Sequence, residues 1–274
     1  MLCTSRTQYM HSTTLQIQVF DLGHLGDKGT MWRTTACRRS DEGQKGRLSC
    51  VEAASPSAAS GDSSLLAAGS TDGSIFVYDA RADGEALLGL QPALRRGGGA
   101  SHHATGISCL KWHPGGLHLF SGARQDDTIR CWDLRNTSKA VQTYHRAGGT
   151  QQRLHFDVDA AGGSLVSGCA NSPMLHVFDV SSGASQEAIG TAAASKGDPS
   201  DRVSHVALHP CGVLLATCSG QRHAPTALDS DSSDNSDGEC MFGLEKPKRG
   251  APPASQLSVL GTQPVRGPAP DGER

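Results

Sequence analysis

The chain has 274 residues and a formal net charge of −2 at pH 7. It is long enough for one large domain or two small ones, and it is not a basic protein, so a nucleic-acid site must be a local patch. It has no apolar run of membrane-spanning length and no signal-peptide core, which predicts a soluble protein that is not exported.

Short strand-like segments follow one another along the chain. LQIQVFDL at 15–22 comes first, and a complete repeat then runs from LSCV at 48–51 to IFVYD at 75–79. The next repeat occupies 107–134, and a third runs from RLHFDVD at 153–159 to HVFDV at 176–180. A fourth opens at 203–222 and shows no recognisable closing strand. Alternation at period two and many β-branched and aromatic residues are typical of strands.

Aromatic-Asp pairs such as Tyr78-Asp79 and Trp132-Asp133 close the repeats, at intervals of roughly 45–60 residues that fit WD-repeat blades with variable loops. The sequence therefore predicts an all-β, incomplete WD40 β-propeller with about three full blades and two partial ones. We expect residues 1–47 to hold the end of a truncated preceding blade and a connecting loop, and 48–223 to hold the WD-repeat blades. Too few blades to close a ring predicts a truncated protein with exposed strand edges.

Four residues of the second complete repeat occupy the positions where WD repeats place a buried hydrogen-bonded tetrad: His103, Ser121, Asp126 and Trp132. A buried indole N–H or imidazole needs hydrogen-bond partners, and an aspartate in a turn supplies an acceptor. The tetrad is therefore predicted to be structural. Tyr78 and Phe178 replace the tryptophan in the neighbouring repeats.

Residues 224–274 are predicted to be a disordered tail, acidic and serine-rich at first and then rich in proline and glycine. The run DSDSSDNSDGE at 229–239 has no apolar residue, so it cannot bury a face. A solvated linker is the simple interpretation, and phosphorylation at Thr226 or Ser236 is an alternative. KPKR at 246–249 is a short basic cluster that could serve nuclear import.

Residue patterns typical of enzymes and metal sites are weak. His205, His209, Cys211 and Cys218 lie close in sequence, but they lack paired zinc-ligand spacing and fit a packed core with turn histidines better. The nine cysteines include no CxxC pair, which favours reduced thiols in the nucleus or cytosol. RRGGGA at 95–100 is not followed by GK and Ser or Thr, and neither GxSxG nor HExxH occurs, so the sequence has neither a phosphate loop nor these hydrolase motifs. We expect no catalysis, cofactor, metal or small-molecule substrate.

Three longer segments are more distinctive than a bare WD signature. They are FSGARQDDTIRCWDLR at 120–135, QRLHFDVDAAGGSLVSG at 152–168 and VALHPCGVLLATCSGQR at 206–222. Together with GRLSC at 46–50 and the acidic insertion after SGQR, they resemble the telomerase Cajal body protein family. The resemblance extends from about residue 15 to 239.

This resemblance implies a non-enzymatic scaffold of the nucleus and Cajal body, with some cytoplasmic protein possible. It would bind small Cajal-body RNAs of the box H/ACA type and telomerase RNA, and its partners would include ribonucleoprotein and telomerase proteins. Specific RNA readers hold phosphates with Lys or Arg and stack bases on planar side chains. The candidate RNA-binding residues within the family-like segments are Arg124 and Arg135 first, then Lys111, Arg153 and Arg222. The alternative is a WD-repeat scaffold that binds only proteins.

Overall fold

Strands dominate the structure, a computed structural model. It describes residues 2–5, 8–13, 16–21, 26, 28–35, 43–54, 65–82, 85–91, 103–171, 174–190, 202–212, 214–219 and 256–261. One turn of 3-10 helix spans Ala80–Ala82. Within these ranges no helix is long and apolar enough to cross a membrane.

In the described ranges nineteen strands form five antiparallel sheets, which we number as blades in chain order. The first blade comprises β1 (Leu2–Ser5), β2 (Gln8–Thr13), β3 (Gln16–Asp21) and β4 (Thr30–Arg33). The second comprises β5 (Leu48–Ala53), β6 (Leu65–Ser70), β7 (Ile75–Asp79) and β8 (Glu85–Gln91). The third comprises β9 (Ile107–Trp112), β10 (His118–Ala123), β11 (Thr128–Asp133) and β12 (Gln142–His145).

The fourth blade comprises β13 (Phe156–Val158), β14 (Ser164–Ser167), β15 (Met174–Asp179) and β16 (Ser185–Gly190). The fifth has β17 (Val203–Leu208), β18 (Leu214–Ser219) and β19 (Gln256–Gly261). In every blade each strand pairs with the next one in sequence. This meander is the strand order of a propeller blade.

Tight turns join the first two strands in the third, fourth and fifth blades. Gly116, Gly162 and Gly212 have φ values of 75°, 81° and 71°, a region that L side chains rarely adopt. Each glycine N–H donates to the carbonyl three residues earlier, over 2.8, 3.0 and 2.8 Å. The glycine that recurs in all three turn sequences is therefore explained by the positive φ that each turn requires.

The hydrophobic core lies in the seams between blades. One cluster joins Ile17 and Trp32 of the first blade to Leu66 and Tyr78 of the second. Three further clusters fill the seams between the second and third, third and fourth, and fourth and fifth blades. Alternation along a strand sends one set of side chains toward the preceding blade and the other set toward the following blade. Each blade thus depends on its neighbours for burial.

The first strand of each blade packs against the first strand of the next, so β5, β9, β13 and β17 surround a common axis. The five sheets do not close into a ring. The prediction of an all-β, incomplete WD40 β-propeller is therefore confirmed.

Two sheets contain more strands than the sequence pattern indicated. Residues 2–13 form β1 and β2, so the first blade has four strands, where the sequence indicated the end of a truncated blade and a connecting loop. Residues 256–261, inside the predicted tail, form β19, which pairs with β18 from Gln256–Ser219 to Gly261–Leu214. The sequence pattern does not identify QLSVLG as a strand, because this segment is short and stands among prolines and glycines. The acidic run at 229–239 and KPKR lie outside the described residues.

Candidate nucleic-acid interface

A chain of hydrogen bonds joins the third blade to the segment that leads into it. Trp132 Nε1 donates to Ser121 Oγ over 2.8 Å. Ser121 Oγ and His103 Nε2 are 2.8 Å apart, and His103 Nδ1 lies 2.6 Å from Asp126 Oδ2. A neutral imidazole with its proton on Nδ1 satisfies all three contacts, because Nε2 then accepts from the serine. The four predicted tetrad residues thus form one network.

The electrostatics of this network agree with a neutral histidine beside an ionised carboxylate. Burial lowers the pKa of His103, although its contact with Asp126 opposes the shift. Burial raises the pKa of Asp126, but the His103 and Thr128 hydrogen bonds outweigh it and hold the pKa well below its usual range. Arg130 adds an ion pair to Asp126 at 3.2 Å. The network therefore pairs a neutral imidazole with an ionised carboxylate.

Neighbouring seams place different polar residues at the equivalent position. In the second blade Tyr78 donates its hydroxyl to Gln44 Oε1 over 2.9 Å, and Gln44 Nε2 donates to the Ala68 and Ser74 carbonyls. In the fourth blade Arg146 Nη1 donates to Ser167 Oγ over 2.7 Å. Sequence reasoning missed Gln44 and Arg146, because neither residue type matches the tetrad histidine.

The two ends of the blades differ in charge. We call the end where one blade leads into the next the connector end; it includes 103–106, 124–127 and 146–155. The opposite end, where first and second strands join through 113–117, 159–163 and 209–212, is the turn end. Among the described residues, basic side chains outnumber acidic ones at the connector end. The basic residues of its connecting segments are Lys45, Arg47, Arg124, Arg146, Arg153 and Arg202.

The segments that bear Arg124 and Arg153 meet at the connector end. Gln125 N–H donates to the Thr150 carbonyl over 3.0 Å, which fixes the loop that bears Arg124 against the segment that bears Arg153. Arg153 is exposed and Arg124 is half-buried. No described carboxylate forms an ion pair with either guanidinium. Of the predicted candidates, these two lie on segments that a hydrogen bond joins.

Two stacked imidazoles stand on the axis beside Arg153. The rings of His155 and His205 are 4.1 Å apart between centroids and 21° from parallel. Burial, with His205 as the next cause, lowers the pKa of His155 to about 4, so this ring is neutral at pH 7. Register places Cys50 and Cys109 at the same level of the neighbouring first strands. Within the described ranges no group of three such side chains has metal-binding geometry.

Lys111 and Arg135, two other candidates, lie toward the turn end and have acidic partners. Lys111 Nζ is 3.3 Å from Glu52 Oε1 and 3.4 Å from Asp157 Oδ1. Burial lowers the pKa of Lys111, but the two carboxylates outweigh it and raise the pKa above its ordinary value. Arg135 donates from Nε and Nη2 to the Asp133 carboxylate over 3.0 and 2.8 Å. Arg222 lies outside the described residues.

Sequence comparisons place these features among known proteins. Residues 36–79 and 100–133 match the model of the WD domain, G-beta repeat family. Telomerase Cajal body protein 1 of Homo sapiens is 38% identical over 189 residues, covering 69% of this chain and 31% of that protein. The Mesocricetus auratus protein is 36% identical over 198 residues, covering 72% and 34%. The chain thus spans about a third of the length of these relatives, and the resemblance predicted from the sequence is confirmed.

A solved structure shares the fold. The crystal structure of the mitotic checkpoint complex contains a chain that matches with a TM-score of 0.53 and 19% identity, covering 76% of this chain and 52% of that one. At this identity the likeness establishes propeller architecture alone.

Proposed function

We propose that this chain, a WD-repeat scaffold similar to the telomerase Cajal body proteins, binds RNA and carries no catalytic activity. The RNA class is small Cajal-body RNA of the box H/ACA type together with telomerase RNA, and the setting is ribonucleoprotein assembly in the nucleus and Cajal body. The observation that carries the proposal is the similarity to telomerase Cajal body protein 1 over 72% of the chain. Ribonucleoprotein and telomerase proteins are the proposed protein partners.

The connector end is the proposed RNA face. Phosphates favour a surface where basic side chains are exposed and unpaired, because a guanidinium already bound to a carboxylate must first give up that partner. Arg153 is exposed and Arg124 is half-buried, and neither forms an ion pair with a described carboxylate, whereas Lys111 and Arg135 are both ion-paired. Arg47 and Arg202 extend the basic surface on either side of the axis. Arg222 stays among the proposed contacts.

The stacked histidines add a planar apolar surface beside these cations. His205 lies at the surface and is only partly buried, but that burial lowers its pKa, and Arg153 lowers it further. A neutral imidazole next to a guanidinium resembles the platforms on which single-stranded bases stack. The connector end therefore combines phosphate contacts with one stacking position.

The test compares two charge-matched double variants. Arg124→Gln with Arg153→Gln removes two positive charges from the connector end, and Arg135→Gln with Lys139→Gln removes two from the turn end. Binding of a box H/ACA-type RNA hairpin is measured by fluorescence polarisation at several salt concentrations. We expect the first variant to bind at least tenfold more weakly and to reduce the salt slope by about 1–2. The second variant should bind like the unaltered protein.

Equal loss in both variants would overturn the proposed face. If the unaltered protein bound no RNA but recovered partner proteins from nuclear extract without RNA enrichment, RNA binding itself would be wrong, and a scaffold for proteins alone would replace it.

A further inference from the structure

A pocket opens on the axis at the turn end, away from the proposed RNA face. Its volume is about 250 Å³, and the first strands of four blades line it together with the turns that follow them. Glu52 comes from β5, Lys111 from β9, Asp157 from β13 and Leu208 from β17. Register places Glu52, Lys111, Asp157 and Ala207 at one level around the axis. The pocket is therefore a product of the blade arrangement and not of one loop.

The charges of the pocket are only partly compensated from within. Lys111 is bound between Glu52 and Asp157 at 3.3 and 3.4 Å, and Asp157 Oδ2 also accepts the Leu208 N–H over 2.8 Å. Asp159 follows β13 and adds a third carboxylate to the lining. One ammonium thus faces three carboxylates, which leaves the pocket with negative formal charge.

Asp159 has an unsatisfied acceptor. Its Oδ1 atom is buried and has no hydrogen-bond partner among the described residues. A buried carboxylate oxygen without a donor is costly. The Asp159 side chain as a whole is only partly buried and lines the pocket, where a cation from outside would stabilise its carboxylate, and the pocket would repel a phosphate.

The remaining walls suit the stem of a long side chain. Pro114, Pro210, Val158 and Trp112 supply apolar surface beside the carboxylates. Arginine and lysine bury their methylene stems against such surface while the charged group pairs at its end. The Trp112 indole is itself fixed by a 3.0 Å hydrogen bond to the Glu52 carbonyl, so this part of the pocket wall is preformed.

We propose that the axial pocket binds a cationic side chain, arginine or lysine, from an extended basic segment of a protein partner. Asp159 is the carboxylate that pairs with the incoming cation, while Lys111 stays ion-paired to Glu52 and Asp157. The scaffold would then hold a protein at its turn end and RNA at its connector end, on opposite sides of the same blades.

The test uses a fluorescent pentapeptide, Ala-Ala-Arg-Ala-Ala, blocked at both ends, and its citrulline analogue, which keeps the shape but loses the charge. We expect the arginine peptide to bind the full chain at least tenfold more tightly than the citrulline peptide. Asp159→Asn should reduce arginine-peptide binding by a similar factor. Asp79→Asn is the matched control at the same end, because asparagine still accepts the 2.8 Å bond from Arg81 N–H, and it should leave binding unchanged.

Equal binding of both peptides to the unaltered protein would overturn the proposal, as would an Asp159→Asn variant that folds and binds normally. If Asp159→Asn did not fold, the comparison of the two peptides on the unaltered chain would still decide. RNA binding by Asp159→Asn should be unchanged, which separates this site from the connector end.

Discussion

The Arg146 guanidinium reaches the Ser167 hydroxyl inside the seam between the third and fourth blades, with Nη1 and Oγ 2.7 Å apart. Nη2 donates to the Leu154 carbonyl over 3.3 Å, and the cation lies 5.8 Å from the Phe156 ring centroid. Burial lowers the pKa of Arg146 to about 10. A cation therefore stands where the preceding blade uses the neutral His103.

Arg146→Ala should destabilise the protein by about 2–4 kcal/mol, because it removes both hydrogen bonds and the stem that packs on Phe156. Arg146→Met keeps most of the stem and removes a buried charge that has no carboxylate in hydrogen-bond contact, so it should lose less than half as much. Urea unfolding midpoints measure both values. Equal losses would show that the hydrogen bonds matter and the stem does not.

Ser121→Ala should cost about 2–3 kcal/mol, since Trp132 Nε1 and His103 Nε2 both lose the Ser121 hydroxyl while remaining buried. Ser108→Ala is the control: that hydroxyl is also buried but makes one bond, to the Gly122 carbonyl at 3.2 Å, and should cost about 1 kcal/mol. In a Trp132→Phe background the Ser121 substitution should cost about 1 kcal/mol less. Strict additivity in this cycle would contradict the network.

Gly168→Ala should be among the most damaging single-methyl additions. A Cβ atom at Gly168 would collide with the backbone carbonyl of Val203 at the start of β17, and backbone cannot rotate away as a side chain can. We expect a loss of about 2–4 kcal/mol or failure to fold. Gly149→Ala, whose Cβ would meet only Asp127 Oδ1 at 3.9 Å, should change the unfolding midpoint little. Thermal unfolding of the two variants decides between these outcomes.

Stability should fall as the solution is acidified from pH 7 to pH 4. The folded pKa of His155 is about 4, below the value of about 6.5 in an unfolded chain, so the unfolded state takes up a proton first. The contribution of neutral His155 to the free energy of unfolding is fully present above pH 6.5. It is lost as the pH falls toward 4, and the loss is on the order of 2–3 kcal/mol. His155→Gln should flatten this dependence, whereas His145→Gln, at an exposed position, should not. A profile that is identical in both variants would rule out His155 as its source.

The third blade could be predicted almost completely from its residues. Its strands, its turn at 113–116 and its four tetrad residues all carry local signals: alternation, glycine with positive φ, and a WD dipeptide. The seam positions of Gln44 and Arg146 carry no such signal. Their roles depend on contacts with the neighbouring blade, and a glutamine or arginine in a connecting segment is ordinarily a surface residue.

The candidate site, too, was only partly predictable from the sequence. The sequence supplied the basic residues of the family-like segments, but it could not say that Arg124 and Arg153 lie at one end while Lys111 and Arg135 lie toward the other. That separation follows from strand direction, since Arg124 follows β10 and Arg135 follows β11, which run in opposite directions. The partners of Lys111 come from two other blades, at distances in sequence that no local pattern spans.

The fifth blade takes its third strand from far along the chain, since β18 ends at Ser219 and β19 begins at Gln256. The entropic cost of closing a chain segment grows only slowly with its length, by about 0.6 kcal/mol for each doubling, so the long separation of these two strands in sequence costs little. Its topological effect is larger. A chain break anywhere between Ser219 and Gln256 would leave β19 attached through its pairing with β18 and no longer through the chain, so a synthetic copy of β19 would compete for the same place by strand complementation.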